Sequence, residues 1–147
     1  MDYHSIEMIA QTHQEALTRY ENSGDKTWIW DNLKREMPYT PQSPKSLDVL
    51  ALQFPDPFVR SSENIVKWMQ DNKLRPLTYE EHLEYITTHP EHQKKSYLLS
   101  LGTKQMLDGD LRVPGADWLD SRRDLSAVRW SIGWGASDRF LAAPISS

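Results

Sequence analysis

With 147 residues the chain is long enough for one domain with one moderate core, and six Trp, six Tyr and three Phe give that core large side chains to bury. The absence of cysteine excludes disulfides, thiolate metal sites and thiol nucleophiles. A net charge of -4, with the basic doublets Lys34-Arg35, Lys94-Lys95 and Arg122-Arg123 each diluted by acids, disfavours a sequence-independent nucleic-acid binder, whose affinity rests on phosphate neutralisation.

In chain order, Ser5 can cap a first helix, since Ile6, Ile9, Ala10, His13, Leu17 and Tyr20 recur at three- and four-residue steps and Gly24 supplies a stop. Residues 27–34 read as a shorter second helix ending before Pro38. Pro38, Pro41 and Pro44 then impose an extended connector, because each fixes φ and removes a backbone donor. Ser46 can cap a turn of helix through Leu47, Leu50 and Ala51. Ser61 or Ser62 opens a helix with Ile65, Val66 and Met69 inward and Trp68 beside them. Thr78-Tyr79-Glu80-Glu81 is a capping box, and Pro90 marks the first turn of a further helix.

The spacing changes after Ser96. Residues 97–101 fit a helix end or a buried strand equally. Asp108-Gly109 between apolar pairs signals a short hairpin, since both residues tolerate positive φ. Val128, Trp130, Ile132 and Trp134 alternate with Arg129, Ser131 and Gly133, the period of a strand with one apolar face, and residues 135–138 can turn it back into 139–142. The expected fold is therefore α+β over one domain, 1–147: helices in 1–96 packed on a small antiparallel sheet, a hairpin and meander, in 97–147.

Three groups of residues could carry chemistry. Glu80, Glu81, His82, Glu84, His89, Glu91 and His92 offer ligands for zinc or iron, and a small metal-assisted hydrolase could use His82, His89 and His92 with Glu81 or Glu84. The two-His spacing of zinc proteases is absent, and Pro90 separates His82 from His89, so a solvated acidic helix face ending in histidines is the preferred reading. Trp130 and Trp134, with Gly133 and Gly135 between and after, could wall a pocket for a sugar or nucleotide. Their alternation with Val128 and Ile132 favours burial in a sheet face, and leaves Trp118 as the exposed indole. Asp117, Asp120, Arg122, Arg123 and Asp124 read as a solvated loop with surface ion pairs in preference to an acid–base set. His13 falls in the apolar stripe of the first helix, where a partly buried, hydrogen-bonded histidine is expected.

No glycine-rich phosphate loop, nucleophile elbow or dinucleotide fingerprint occurs, which lowers the expectation of an enzyme without removing it. The order of capped helix (Leu74 to Glu81), Asp108-Gly109 and Trp/Gly-rich strands ending at Arg139-Phe140-Leu141-Ala142 resembles the C-type-lectin-like domains of bacterial and phage proteins. The resemblance covers the second half only, lacks the calcium ligands of true lectins, and implies no more than a topology.

The functional expectation is a non-catalytic module that contacts another protein through exposed aromatic and acidic surface, with Trp28, Trp118, Arg122, Trp130 and Trp134 as candidate binding residues and no cofactor. No segment approaches the roughly 20 apolar residues of a membrane span, and Met1–Glu7 has neither the basic start nor the apolar run of a signal peptide. A cytoplasmic location is the default expectation.

Overall fold

The computed structural model describes residues 2–147, apart from the Phe58 side chain; Met1, at the head of the segment read for a leader, lies outside it. In order along the described residues come β1 (His4–Met8), α1 (His13–Glu21), β2 (Thr27–Ile29), α2 (Asp31–Glu36), β3 (Lys45–Leu52) and a 3-10 turn (Pro57–Val59). Then follow α3 (Ser62–Asp71), β4 (Leu74–Pro76), α4 (Tyr79–Thr88), α5 (Pro90–Lys95) and β5 (Leu98–Leu99). β6 (Gln105–Leu107), β7 (Asp110–Leu119), β8 (Arg122–Arg129) and β9 (Arg139–Pro144) complete the chain.

The strands form one mixed sheet in the order β1-β3-β9-β5-β7-β8-β2, with β4 alongside β9 and β6 alongside β7. This overturns the expected arrangement of N-terminal helices on a C-terminal antiparallel sheet. Four of the strands, β1 to β4, lie before residue 97. Two ladders are parallel, β2 with β8 and β5 with β9, and β9 runs against β3 and β4 instead of folding back on β8.

The local reasons are specific. Ile6 and Met8 are two residues apart and buried, whereas Ser5 and Glu7 face out and bond Asp48 and Ser46 of β3, so 4–8 is a strand and not the first turns of a helix. α1 begins later, at a capping box in which Thr12 Oγ1 accepts from Glu15 N and Thr12 N donates to Glu15 Oε1. The same change of period moves 27–29 and 45–52 from helix to strand: Leu47 and Val49 face inward around exposed Asp48. At the other end β8 stops at Arg129. Trp130 to Trp134 are not strand residues, and Ile132 is exposed. The extended 38–44 connector, the Ser61-capped α3, the Thr78–Glu81 box of α4, Pro90 at the start of α5 and the Asp108–Gly109 turn all form as their local signals require.

Both faces of the sheet are covered. One cluster joins Leu17 and Tyr20 of α1 and Tyr79, Leu83 and Ile86 of α4 to Val49, Leu98, Ala116, Leu125 and Leu141. The other joins Ile65 and Met69 of α3 to Leu50, Leu99, Val113, Phe140 and Ala142. Neighbouring residues such as Leu98 and Leu99 thus enter opposite clusters, as the alternation of a doubly covered strand demands. α4 lies in the middle of this packing, with every residue from Tyr79 to Ile86 buried. Its carboxylates are therefore not the solvated face expected of them. Glu80 accepts from Thr40 N at 2.7 Å, Glu81 accepts two bonds from Arg75 at 2.8 Å each, and Glu84 is paired with Arg19. Burial works to raise the Glu81 pKa, but the Arg75 and Thr78 bonds outweigh it and hold this carboxyl below its ordinary value.

Gly102 makes the approach of the 100–103 segment to α4 possible. Its N–H donates to Leu77 O at 2.9 Å, and a Cβ here would fall inside contact distance of that same carbonyl. Gly102→Ala should cost about 1–3 kcal/mol, the usual range for forced overpacking, read as a lowered urea midpoint. An unchanged midpoint would show that the backbone can move aside freely.

Candidate functional site

The β7–β8 hairpin and the edge strand β2 meet at one end of the sheet. Asp120 and Ser121, both left-handed at φ 51° and 59°, form the two-residue turn that joins β7 to β8. Asp117, Asp124 and Trp28 lie side by side across the three strands, and one step along so do Trp118, Arg123 and Thr27. Since side chains alternate between faces, Trp28, Asp124, Asp117, Arg122 and Leu119 share one face, and Trp118 and Arg123 the other.

On the first face Trp28 is 40% exposed and Leu119 52%. The Arg122 guanidinium lies 5.3 Å from the Trp28 ring centroid, and its Nε donates to Asp124 Oδ1 at 2.7 Å. The cation is thus held between an indole and a carboxylate. Burial, with Asp124 alongside, holds the Asp117 carboxyl above its ordinary range. On the reverse face Trp118 is 37% exposed, with the Lys94 ammonium 5.0 Å from its ring and bonded to Asp25 at 2.7 Å.

Beneath this corner is a knot of buried polar groups. Arg123 is 0% exposed, which corrects the reading of 117–124 as a solvated loop. Its Nη1 donates to Ile86 O at 3.0 Å, and its Nη2 to Tyr20 O at 3.2 Å and Ser23 Oγ at 2.6 Å. Those two carbonyls belong to the last turns of α4 and α1, where backbone acceptors lack intrahelical donors and the helix dipole is negative. Two helix ends therefore take the place of a carboxylate partner. Gln93 of α5, also buried, brings its Nε2 to Tyr20 Oη at 2.9 Å and to the carbonyls of Asp117 and Asp124 at 3.0 Å each. Burial pushes the Tyr20 phenol up to about 12 in spite of Gln93 and Arg123 beside it, so it remains a donor. One polar network ties the corner to α1, α4 and α5.

The chain matches no family model, no curated protein and no solved structure. The functional reading rests on geometry.

The other residues singled out from the sequence lie elsewhere. Trp134 is buried in the second cluster with Nε1 donating to Ser62 Oγ at 3.0 Å. Trp130 is half-buried; its Nε1 donates to Glu63 at 2.8 Å and Lys104 lies 4.4 Å from its ring. They share no strand face. His82 is fully buried on α4 with Nδ1 2.5 Å from Ser100 Oγ, while the rings of His89 and His92 stack 5.0 Å apart beside His4 of β1. The structure does not bring His82 to the other two. Among the described residues no three His, Asp or Glu side chains are placed to hold a metal ion. His13 is half-buried and bonds Tyr79 Oη at 2.7 Å, although it starts α1 and does not lie midway along a longer helix. No helix of the described residues is long and apolar enough to cross a membrane.

Sequence reasoning missed Gln93 and Leu119, and placed Arg123 in a solvated loop. The signal for Arg123 was available: a two-residue period through Arg123, Leu125 and Ala127 places all three on the buried face.

Proposed function

We propose that the chain is a non-catalytic binding module that docks a protein partner on the face carrying Trp28, Leu119 and Arg122. The observation that supports this is an exposed indole and an exposed leucine standing together on a sheet end braced by a buried arginine network. Aromatic anchors on rigid elements carry a disproportionate share of interface free energy, because little conformational entropy is lost when they are covered. Arg122, already stacked on Trp28, presents the fork geometry suited to a carboxylate at the rim of such a contact.

The two indoles make separate predictions, since they occupy opposite faces. A photoreactive residue introduced at Leu119 should crosslink one partner in cells. Trp28→Ala should cut that yield at least about tenfold, equivalent to ~1.4 kcal/mol of affinity, whereas Trp118→Ala should leave it near the parent level. If a probe at Met106, an exposed apolar residue of β6, captures the same protein as efficiently, the corner is not the docking face.

A further inference from the structure

A cleft of about 270 Å³ opens where β1, α4, α5 and β9 meet, far in sheet order from β2. Its chemistry is one-sided. His4, Tyr85, His92, Lys95, Ser96 and Arg139 supply the polar lining, and none of these side chains is a carboxylate. The chain as a whole is acidic, and most of its other Lys and Arg side chains pair with an Asp or Glu. Among the described residues neither Arg139 nor Lys95 makes an ion pair. Asp2 lines the adjoining depression with His4 and Arg139, without pairing with either.

The groups are positioned by contacts that leave donors available. Arg139 Nε donates to Ser96 Oγ at 3.0 Å and Nη1 to Ala51 O at 3.4 Å, which fixes the guanidinium plane. The His4 and His92 rings meet edge to face at 4.4 Å. Tyr85 Oη lies 2.6 Å from His92 Nδ1, and burial pushes the phenol up to about 12, so it stays protonated. His89 is fixed too, donating from Nε2 to Ser5 O at 2.9 Å.

We propose that this cleft binds a phosphate group, free or carried on a small phosphomonoester. Two cations without carboxylates, Arg139 held by Ser96 and Ala51 and Lys95 at the exposed rim, match a dianion. Imidazole, ammonium, guanidinium and hydroxyl groups arriving from separate elements suit the several oxygens of a tetrahedral group better than the two of a planar carboxylate. Burial, and then the like charges of His4, His89, Lys95 and Arg139, push the His92 pKa down to about 4, as expected where positive groups gather.

The test uses the whole chain at neutral pH. Inorganic phosphate and glycerol phosphate are titrated while the histidine ring resonances are followed by NMR. Binding with Kd of about 1 mM or tighter is expected, with His92 shifting and with acetate at least about tenfold weaker. A tighter ester places the phosphate on an organic carrier, and equal affinities place the free ion in the cleft; either supports the site. Lys95→Gln, an exposed change that leaves folding intact, should weaken phosphate at least about fivefold, and Arg139→Gln more. Lys34→Gln on α2 should have no effect. The proposal is overturned if phosphate leaves His92 unmoved, if acetate binds as well, or if the Lys95 and Lys34 variants behave alike.

Discussion

Arg123→Met is expected to destabilise the fold by about 1–3 kcal/mol, the cost of leaving a buried backbone acceptor without its donor. Methionine keeps most of the stem volume, so packing is largely retained and the loss is polar. The Ile86 carbonyl at the end of α4 loses the Nη1 donor, and the Tyr20 carbonyl and Ser23 hydroxyl lose Nη2. A buried acceptor left without a partner costs about 1–3 kcal/mol, and Tyr20 O keeps backbone donors from Asn22 and Ser23, so Ile86 O bears most of the effect. Arg123→Lys should recover little, since one ammonium cannot span two helix ends as a planar fork does. Arg129→Met, also on β8, is the matched control. Its partner is Asp110, both side chains of the pair are exposed, and the expected cost is no more than about 1 kcal/mol. Urea unfolding of the three variants decides the matter: equal midpoints for the Met variants at 123 and 129 would mean that the knot does not brace the corner.

The elements legible from the sequence are those whose instructions are local. Ser61, the Thr78–Glu81 box and Pro90 start α3, α4 and α5 through bonds that span three or four residues, and Asp108-Gly109 turns β6 into β7 through two left-handed residues. The strands β1, β2 and β3 were not legible, because what makes them strands is a distant partner: β1 lies on β3 about forty residues away, and β2 on β8 almost a hundred. Ile6 fits a helix stripe with Ile9 and Ala10 as well as a strand face with Met8 when no partner is in view. The Trp130–Trp134 alternation failed for the converse reason. Its period is right for a strand, but the ladder on β7 ends at Arg112↔Arg129.

The candidate site divides the same way. Trp28 and Trp118 stand exposed and Trp28 meets Arg122, residues that composition and pattern had already singled out. That Arg123, Glu81 and Glu84 are buried could not be read from their neighbours. A charge is tolerated inside only where a partner waits, and Glu84 finds Arg19 sixty-five positions away while Arg123 finds Tyr20 at more than a hundred.

His82 should make the fold acid-sensitive well above the range where carboxylates titrate. The ring is fully buried, Nδ1 is bonded to Ser100, and Nε2 has no partner among the described residues. A second proton would therefore place a charge and an unmet donor in the core, and burial pushes the pKa down to about 3 from the ordinary 6.5. In the unfolded chain the ring takes up a proton below pH 6.5, whereas the folded protein refuses it until about pH 3. Stability is complete above pH 6.5 and falls by about 1.4 kcal/mol per pH unit below it, or roughly 3 kcal/mol by pH 4.5. His92, pushed down to about 4 but partly exposed, adds a smaller loss of the same sign. His82→Gln can still bond Ser100 and cannot charge, so its urea midpoint should be nearly level between pH 6.5 and pH 5 while the parent's declines. A variant that declines as steeply as the parent would move the source of the acid sensitivity away from the core histidine. His92→Gln, measured alongside, separates the contribution of the cleft from that of α4.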